Sequence, residues 1–148
     1  MKTRSKSESE NKTGLTIQPK GCILYVSNRK RGIYYNMILH DYRSSSGKDL
    51  IMDYIDSLTE SERTDALLVM KCMKNNEFDK LLFKRWEKKV YEVYFRKHNR
   101  IFYVTVDKEN IYLLHACRKQ KNKTEKVDKK IVKTRAKEIG DLVGKKFI

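Results

Sequence analysis

At residue 91 the sequence takes up a period of two, and through residue 117 it reads as three strand segments joined by very short turns. Tyr91, Val93 and Phe95 alternate with Glu92, Tyr94 and Arg96, the pattern of a strand with one face on a core. Lys97-His98-Asn99 turns the chain and Ile101 to Val106 form the next strand. Asp107-Lys108-Glu109-Asn110 turns it again, and Ile111 to Cys117 form a third. Three consecutive strands on such turns make an antiparallel meander.

The segments flanking the meander are helical on both sides. Leu50, Ile51, Tyr54, Ile55 and Leu58 recur at spacings of one, three and four, an amphipathic helix. Thr59 caps a second helix and Glu62 completes a capping box. The apolar stripe of that helix is Ala66, Leu67, Val69, Met70 and Met73, and it frays at Asn75-Asn76. Upstream, Ile33 to Tyr42 is aromatic and branched enough for a strand, broken by Ser44-Ser45-Ser46-Gly47. Downstream, Val127, Ile131, Val132, Ala136, Ile139, Leu142 and Val143 give a basic closing helix. The order is strand, two helices, three strands, helix: a small α+β domain over 33–148. The expected arrangement is an antiparallel sheet with the helices packed on one face, the other face being free to meet a ligand. Residues 1–32 read as a basic, polar N-terminal extension, partly disordered, in which Cys22 to Val26 is a short strand candidate.

Composition narrows the class. Of 148 residues 39% are hydrophobic, and nine Tyr, five Phe and one Trp supply enough apolar surface for one core. No apolar run approaches the roughly 20 residues of a membrane helix, and Met1 to Pro19 lacks the apolar segment of a secretory signal. Cys22, Cys72 and Cys117 are odd in number and widely spaced, which fits a reducing cytoplasm. The net charge of +15 is unevenly placed. Residues 1–83 hold 14 basic and 11 acidic groups, net +3, and residues 84–148 hold 20 and 8, net +12. Such clustering points to a polyanion, because grouped cations release condensed counterions on meeting phosphates.

Known chemical signatures are missing. His40, His98 and His115 lie far apart without a zinc-binding pattern, and there is no Walker loop, GxGxxG or nucleophile elbow. The remaining candidates are cationic and aromatic. With Tyr91, Val93 and Phe95 on the core, Glu92, Tyr94 and Arg96 share the opposite face. Arg100 opens the adjacent strand, and Arg118, Lys119 and Lys121 leave the last one. Guanidinium and ammonium groups at adjoining strand ends suit a phosphate. Metal-free RNA cleavage asks for a base at the ribose 2′-OH, cations around the pentacoordinate phosphorus and an acid at the 5′ oxygen. Tyr94 and Tyr103 are candidates to stack bases. Structural roles stand beside these: Glu92 and Arg96 as a solvated same-face pair, His115 as a satisfied strand histidine, Tyr103 as packing, and Trp86 as a core or edge anchor.

The order of these residues resembles a known family. Tyr42-Arg43-Ser44-Ser45-Ser46-Gly47-Lys48, with Ile55-Asp56-Ser57-Leu58 after it, resembles the opening of phage-derived HigB-type toxins of the RelE/ParE superfamily. Tyr91-Glu92-Val93-Tyr94 resembles that family's Trp-Glu-Leu-Arg strand, and Arg100-Ile101-Phe102-Tyr103 its Arg-Ile-hydrophobic-aromatic strand. Leu113-Leu114-His115, with Lys119, Lys123 and Thr124 after it, resembles the Leu-Leu-His strand and the basic segment beyond it. The likeness spans about residues 33–140. Three positions depart from it: Tyr94 replaces the strand arginine, Gln120 a lysine and Glu125 a proline.

The resemblance implies a RelE-like fold and the toxin of a type II toxin–antitoxin system. Such a toxin is a metal-independent mRNA endoribonuclease that acts on translating ribosomes, inhibits translation and needs no cofactor. Its implied partners are mRNA, the ribosome and a cognate antitoxin, typically a helix-turn-helix protein. Carried over, Arg100 and Lys119 are the phosphate and transition-state residues, Glu92 a base candidate and His115 an acid candidate. Arg96 joins the catalytic candidates from strand parity alone, as a stand-in for the arginine lost at Tyr94. Tyr94, Tyr103, Arg118, Lys121 and Lys123 are the RNA-binding candidates. Two rivals remain: a ParE-like inhibitor of DNA gyrase, and a non-catalytic basic nucleic-acid-binding module.

Overall fold

A computed structural model describes residues 36–119 and 124–148, together with the short strands β1 (Gly14–Leu15) and β2 (Tyr25–Val26), which pair antiparallel. Apart from these two strands, the N-terminal extension lies outside the described residues.

The main sheet has five strands: β3 (Ile38–Asp41), β4 (Phe83–Glu87), β5 (Val90–Phe95), β6 (Asn99–Thr105) and β7 (Asn110–Arg118). Their spatial order is β3-β7-β6-β5-β4. The meander forms as its alternation requires, with Val93 opposite Ile101 and Phe102 opposite His115. β4, which the sequence pattern does not announce, extends it antiparallel along β5. At the other edge β3 runs parallel to β7, so the sheet is mixed.

Three helices complete the α+β domain: α1 (Leu50–Asp56), α2 (Glu60–Lys74) and α3 (Lys126–Val143). Their starts are chemically specified. The Asp49 carboxylate accepts from the amides of Ile51 and Met52, and the Thr59 hydroxyl accepts from that of Glu62, satisfying donors a helix N-terminus leaves free. α3 ends at Gly144, whose φ of 73° is the left-handed cap that glycine supplies without strain.

The helices do not share a face. Ile51, Ile55, Ala66, Val69 and Met73 of α1 and α2 pack on Val93, Phe95, Ile101, Tyr103, Ile111 and Leu113. α3 lies on the opposite side, where Val132, Ala136 and Ile139 cover Val90, Phe102, Val104 and Leu114. The expected free face is therefore largely roofed by α3. The physical reason is that the sheet is apolar on both sides: Ile101, Phe102, Tyr103 and Val104 are consecutive and all buried, the signature of a strand covered on both faces. Each fully buried large side chain here contributes on the order of 1.5–3 kcal/mol.

β7 carries a β-bulge opposite the Phe102–Tyr103 step of β6. Tyr103 pairs with Leu113 but Phe102 with His115, which leaves Leu114 as an extra residue. Leu114 and His115 both turn toward α3 as a result.

One acid in the frame carries a pH signature. Burial, reinforced by the neighbouring Asp49 carboxylate, pushes Asp41 up from 3.8 to about 7. The fold thus prefers the neutral acid, so the stability it contributes is fully present below pH 3.8 and is lost as pH rises through about 7. Asp41→Asn is expected to raise Tm at pH 8 and to leave it nearly unchanged at pH 4. Thermal scans across that range check it, and equal shifts at both pH values would overturn it.

Candidate phosphate-binding site

The α3 side of β5, β6 and β7 is apolar except at the end nearest the β5–β6 turn. There Glu92, Tyr94 and Arg100 come together across the β5–β6 register, Tyr94 opposite Arg100. Lys84 of β4 pairs directly with Glu92 and adds its ammonium group. Lys119 closes the group just beyond β7, its amide held by the His98 carbonyl at 2.6 Å.

Glu92 is wholly buried. Its Oε1 lies 3.2 Å from Arg100 Nε, 3.6 Å from Lys119 Nζ and 3.8 Å from Lys84 Nζ. Three cations around one carboxylate leave a local excess of two positive charges. Neither Glu92 oxygen has a well-directed hydrogen bond among the described residues, so the carboxylate is held by charge rather than by geometry. Isolated charges at that depth cost several kcal/mol each, and only mutual attraction offsets this.

Arg100 is positioned from three directions. Its guanidinium lies over the Tyr94 ring, 4.8 Å from the centroid, and donates to the carbonyls of Lys97 at 2.5 Å and Asn99 at 3.1 Å. Lys84 approaches the same ring at 5.9 Å. Tyr94, which stands where the resembling family has arginine, thus becomes the platform that holds the neighbouring arginine. Lys84 is the exposed member of the group and marks the side open to solvent.

A second polar group adjoins the first. His115 Nε2 lies 2.7 Å from Asp128 Oδ1 on the first turn of α3. Its Nδ1 faces Arg135 at 3.4 Å, while Arg135 also donates to the Leu114 carbonyl and stacks on Tyr42. These partners assign the Nε2–H tautomer. Burial holds His115 below its ordinary value, more strongly than the Asp128 carboxylate raises it. Between the two groups sits Cys117, paired with Arg100 on β6. Burial pushes its thiol up to about 12, with Asp128 and Glu92 reinforcing that rise and Arg100 and Lys119 opposing it.

The residues expected from the sequence divide accordingly. Arg100, Lys119, Glu92 and Tyr94 meet in one cluster, with His115 one strand position beyond Cys117. Arg96 does not join them. β5 ends at Phe95, Arg96 takes a φ of 50°, and its guanidinium pairs with Asp65 of α2 on the other face. Strand parity fails there because the strand has already ended. Arg118 also faces away, 2.8 Å from Glu62. Glu62 is pulled to about 2, first by the Asn99 side chain and then by Arg118 and Thr59. Tyr103 is buried against Phe78 and stacked on Tyr91, so it packs in the α1–α2 core and is closed to a base. Trp86 anchors the β4 edge, donating to Thr124 and packing edge-on against Phe102. Lys121 and Lys123 lie outside the described residues.

Sequence reading missed Lys84, Cys117, Asp128 and Arg135 as site residues. The alternation His115-x-Cys117 was the one available signal for Cys117. Lys84 depends on the unassigned strand β4.

One comparison bears on this arrangement. Residues 53–137, more than half of the chain, match the family model described as phage derived protein Gp49-like (DUF891). The chain belongs to this family. No individually curated protein matches it. The Gp49-like segment runs from α1 into α3 and contains Lys84, Glu92, Tyr94, Arg100, His115, Cys117, Lys119, Asp128 and Arg135. Both polar groups thus lie within the part of the chain that defines this Gp49-like protein. No helix among its described residues is long and apolar enough to cross a membrane.

Proposed function

We propose that this Gp49-like protein is a RelE/HigB-like toxin of a type II toxin–antitoxin system, an endoribonuclease that cuts mRNA on translating ribosomes and so inhibits translation. The observation that carries the reading is the cluster of Lys84, Arg100 and Lys119 on the single carboxylate of Glu92. A site with two uncompensated positive charges, one stacked guanidinium and a half-buried aromatic ring suits a phosphodiester and its flanking base.

In this reading the chemistry is electrostatic. The ribose 2′-OH loses its proton and attacks the adjacent phosphorus, a second negative charge develops on the phosphoryl oxygens, and Arg100 and Lys119 stabilise it. The P–O5′ bond then breaks, leaving a 2′,3′-cyclic phosphate and a 5′ oxygen that takes up a proton. Lys84 admits the backbone and Tyr94 supports both the base and Arg100. His115, neutral at physiological pH, is the acid–base candidate, with Asp128 fixing its orientation. A cognate antitoxin would be the partner that covers this surface.

The test is a translating extract in which mRNA 5′ ends are mapped with and without the protein. New ends within reading frames, dependent on translation, are the expected result. An unchanged 5′-end profile would defeat the nuclease reading. Salt-sensitive RNA binding without cuts would then support the binding-module alternative, which the complete burial of Glu92 favours. Accumulated gyrase–DNA breaks would support the gyrase alternative.

A further inference from the structure

The bulge in β7 has a chemical consequence. It brings His115 and Cys117, two positions apart on one strand, to the α3 face, where Asp128 from the first turn of α3 meets them. The ligand atoms of these three side chains, His115 Nε2, Cys117 Sγ and an Asp128 carboxylate oxygen, all lie within 4.8 Å of one another. We propose that His115, Cys117 and Asp128 form a three-ligand site for a thiophilic divalent cation of the zinc class, with a fourth position open to water.

The donor set suits such an ion. Imidazole, thiolate and carboxylate are the three zinc-binding side chains, and three protein ligands plus water is a common open coordination. Bonds of about 2.0–2.3 Å imply ligand–ligand edges of roughly 3.3–3.8 Å in a tetrahedron, so closure asks for about 1 Å of side-chain travel. The His115–Asp128 pair opens slightly while Cys117 draws in.

Charge also balances. Thiolate and carboxylate together neutralise a divalent ion, so the occupied site is itself neutral beside the positive excess of the Glu92 cluster. Binding releases one proton, from the Cys117 thiol to solvent. The imidazole proton moves from Nε2 to Nδ1, leaving the Nε2 lone pair for the metal. Arg135 then gives up only its longest contact, the 3.4 Å approach to Nδ1, and keeps the Leu114 carbonyl and the Tyr42 ring.

The site clamps the start of α3 to β7 and takes up the same His115 nitrogen that an acid–base role would use. Its existence does not depend on the ribonuclease reading. The occupant would be a soft regulatory or structural ion rather than the magnesium of common phosphate chemistry.

Cobalt(II) titration of the full chain, purified metal-free under reducing conditions, tests this directly. The expected result is a thiolate-to-cobalt charge-transfer band saturating at one equivalent, displaced by zinc, with zinc also raising Tm. Cys117→Ser should abolish the band, whereas the Cys22→Ser, Cys72→Ser double variant should keep it. Asp128→Asn, at a half-exposed position that leaves the core untouched, should weaken binding at least tenfold. Absence of the band from folded wild-type protein, its survival in Cys117→Ser, or unchanged affinity in Asp128→Asn would each overturn the proposal.

Discussion

Arg100→Ala is expected to lower mRNA cleavage in a translating extract by about 10²- to 10³-fold, the usual effect of removing one preorganised donor from a developing oxyanion. The same substitution acts on the fold. Arg100 is the nearest cation to the buried Glu92 carboxylate, at 3.2 Å, and breaking a buried ion pair costs about 3–5 kcal/mol. Lys119 and Lys84 remain, at 3.6 and 3.8 Å, so the loss should lie near the lower end of that range. The two effects separate by experiment. Cleavage is compared at a temperature where circular dichroism shows both proteins folded, and stability is read from denaturant midpoints. Arg100→Lys restores the charge but loses the stacked plane on Tyr94 and the fork to Lys97 and Asn99. It should therefore recover most of the stability and only part of the cutting. Full activity in folded Arg100→Ala would remove this residue from the phosphate role.

How far the site was legible in the sequence turns on the physical origin of each residue's placement. Arg100 and Lys119 sit at the adjoining ends of two strands on short turns, so their meeting could be read from the meander alone. Arg96 was misassigned because alternation says where a side chain points only while the strand lasts, and this strand stops at Phe95. β4 went unread because Phe83 to Glu87 mixes two exposed cations with two aromatics, and its pairing to β5 is a tertiary fact. Lys84 was lost with it. The roof formed by α3 was implicit in the four consecutive buried residues Ile101 to Val104, although periodicity does not name the element that covers a face. The bulge that delivers His115 to Asp128 and Cys117 has no marker in the sequence at all, since neither glycine nor proline accompanies it.

Glu92 is where the two views of the site diverge most, and Glu92→Gln resolves it. A general base must reach its proton donor and hold a free lone pair. Glu92 is wholly buried and spends its charge on three cations, a position that bars its approach to a ribose hydroxyl. The geometry fits a different task, that of an internal counter-ion holding Arg100 and Lys119 at phosphate-binding separation before RNA arrives. The amide keeps the shape and removes the charge. Lys119, almost as deeply buried, is then left without its compensating anion, so stability should fall by about 3 kcal/mol or more. RNA binding should move the opposite way. The cluster goes from two uncompensated charges to three, which tightens binding at low salt and steepens the slope of log K against log salt by roughly 0.7–0.9. Cleavage at a temperature where the variant is folded should drop by less than tenfold. A loss of about 10²-fold or more, with an unchanged salt slope, would instead establish Glu92 as the base and require the cluster to open before each turnover.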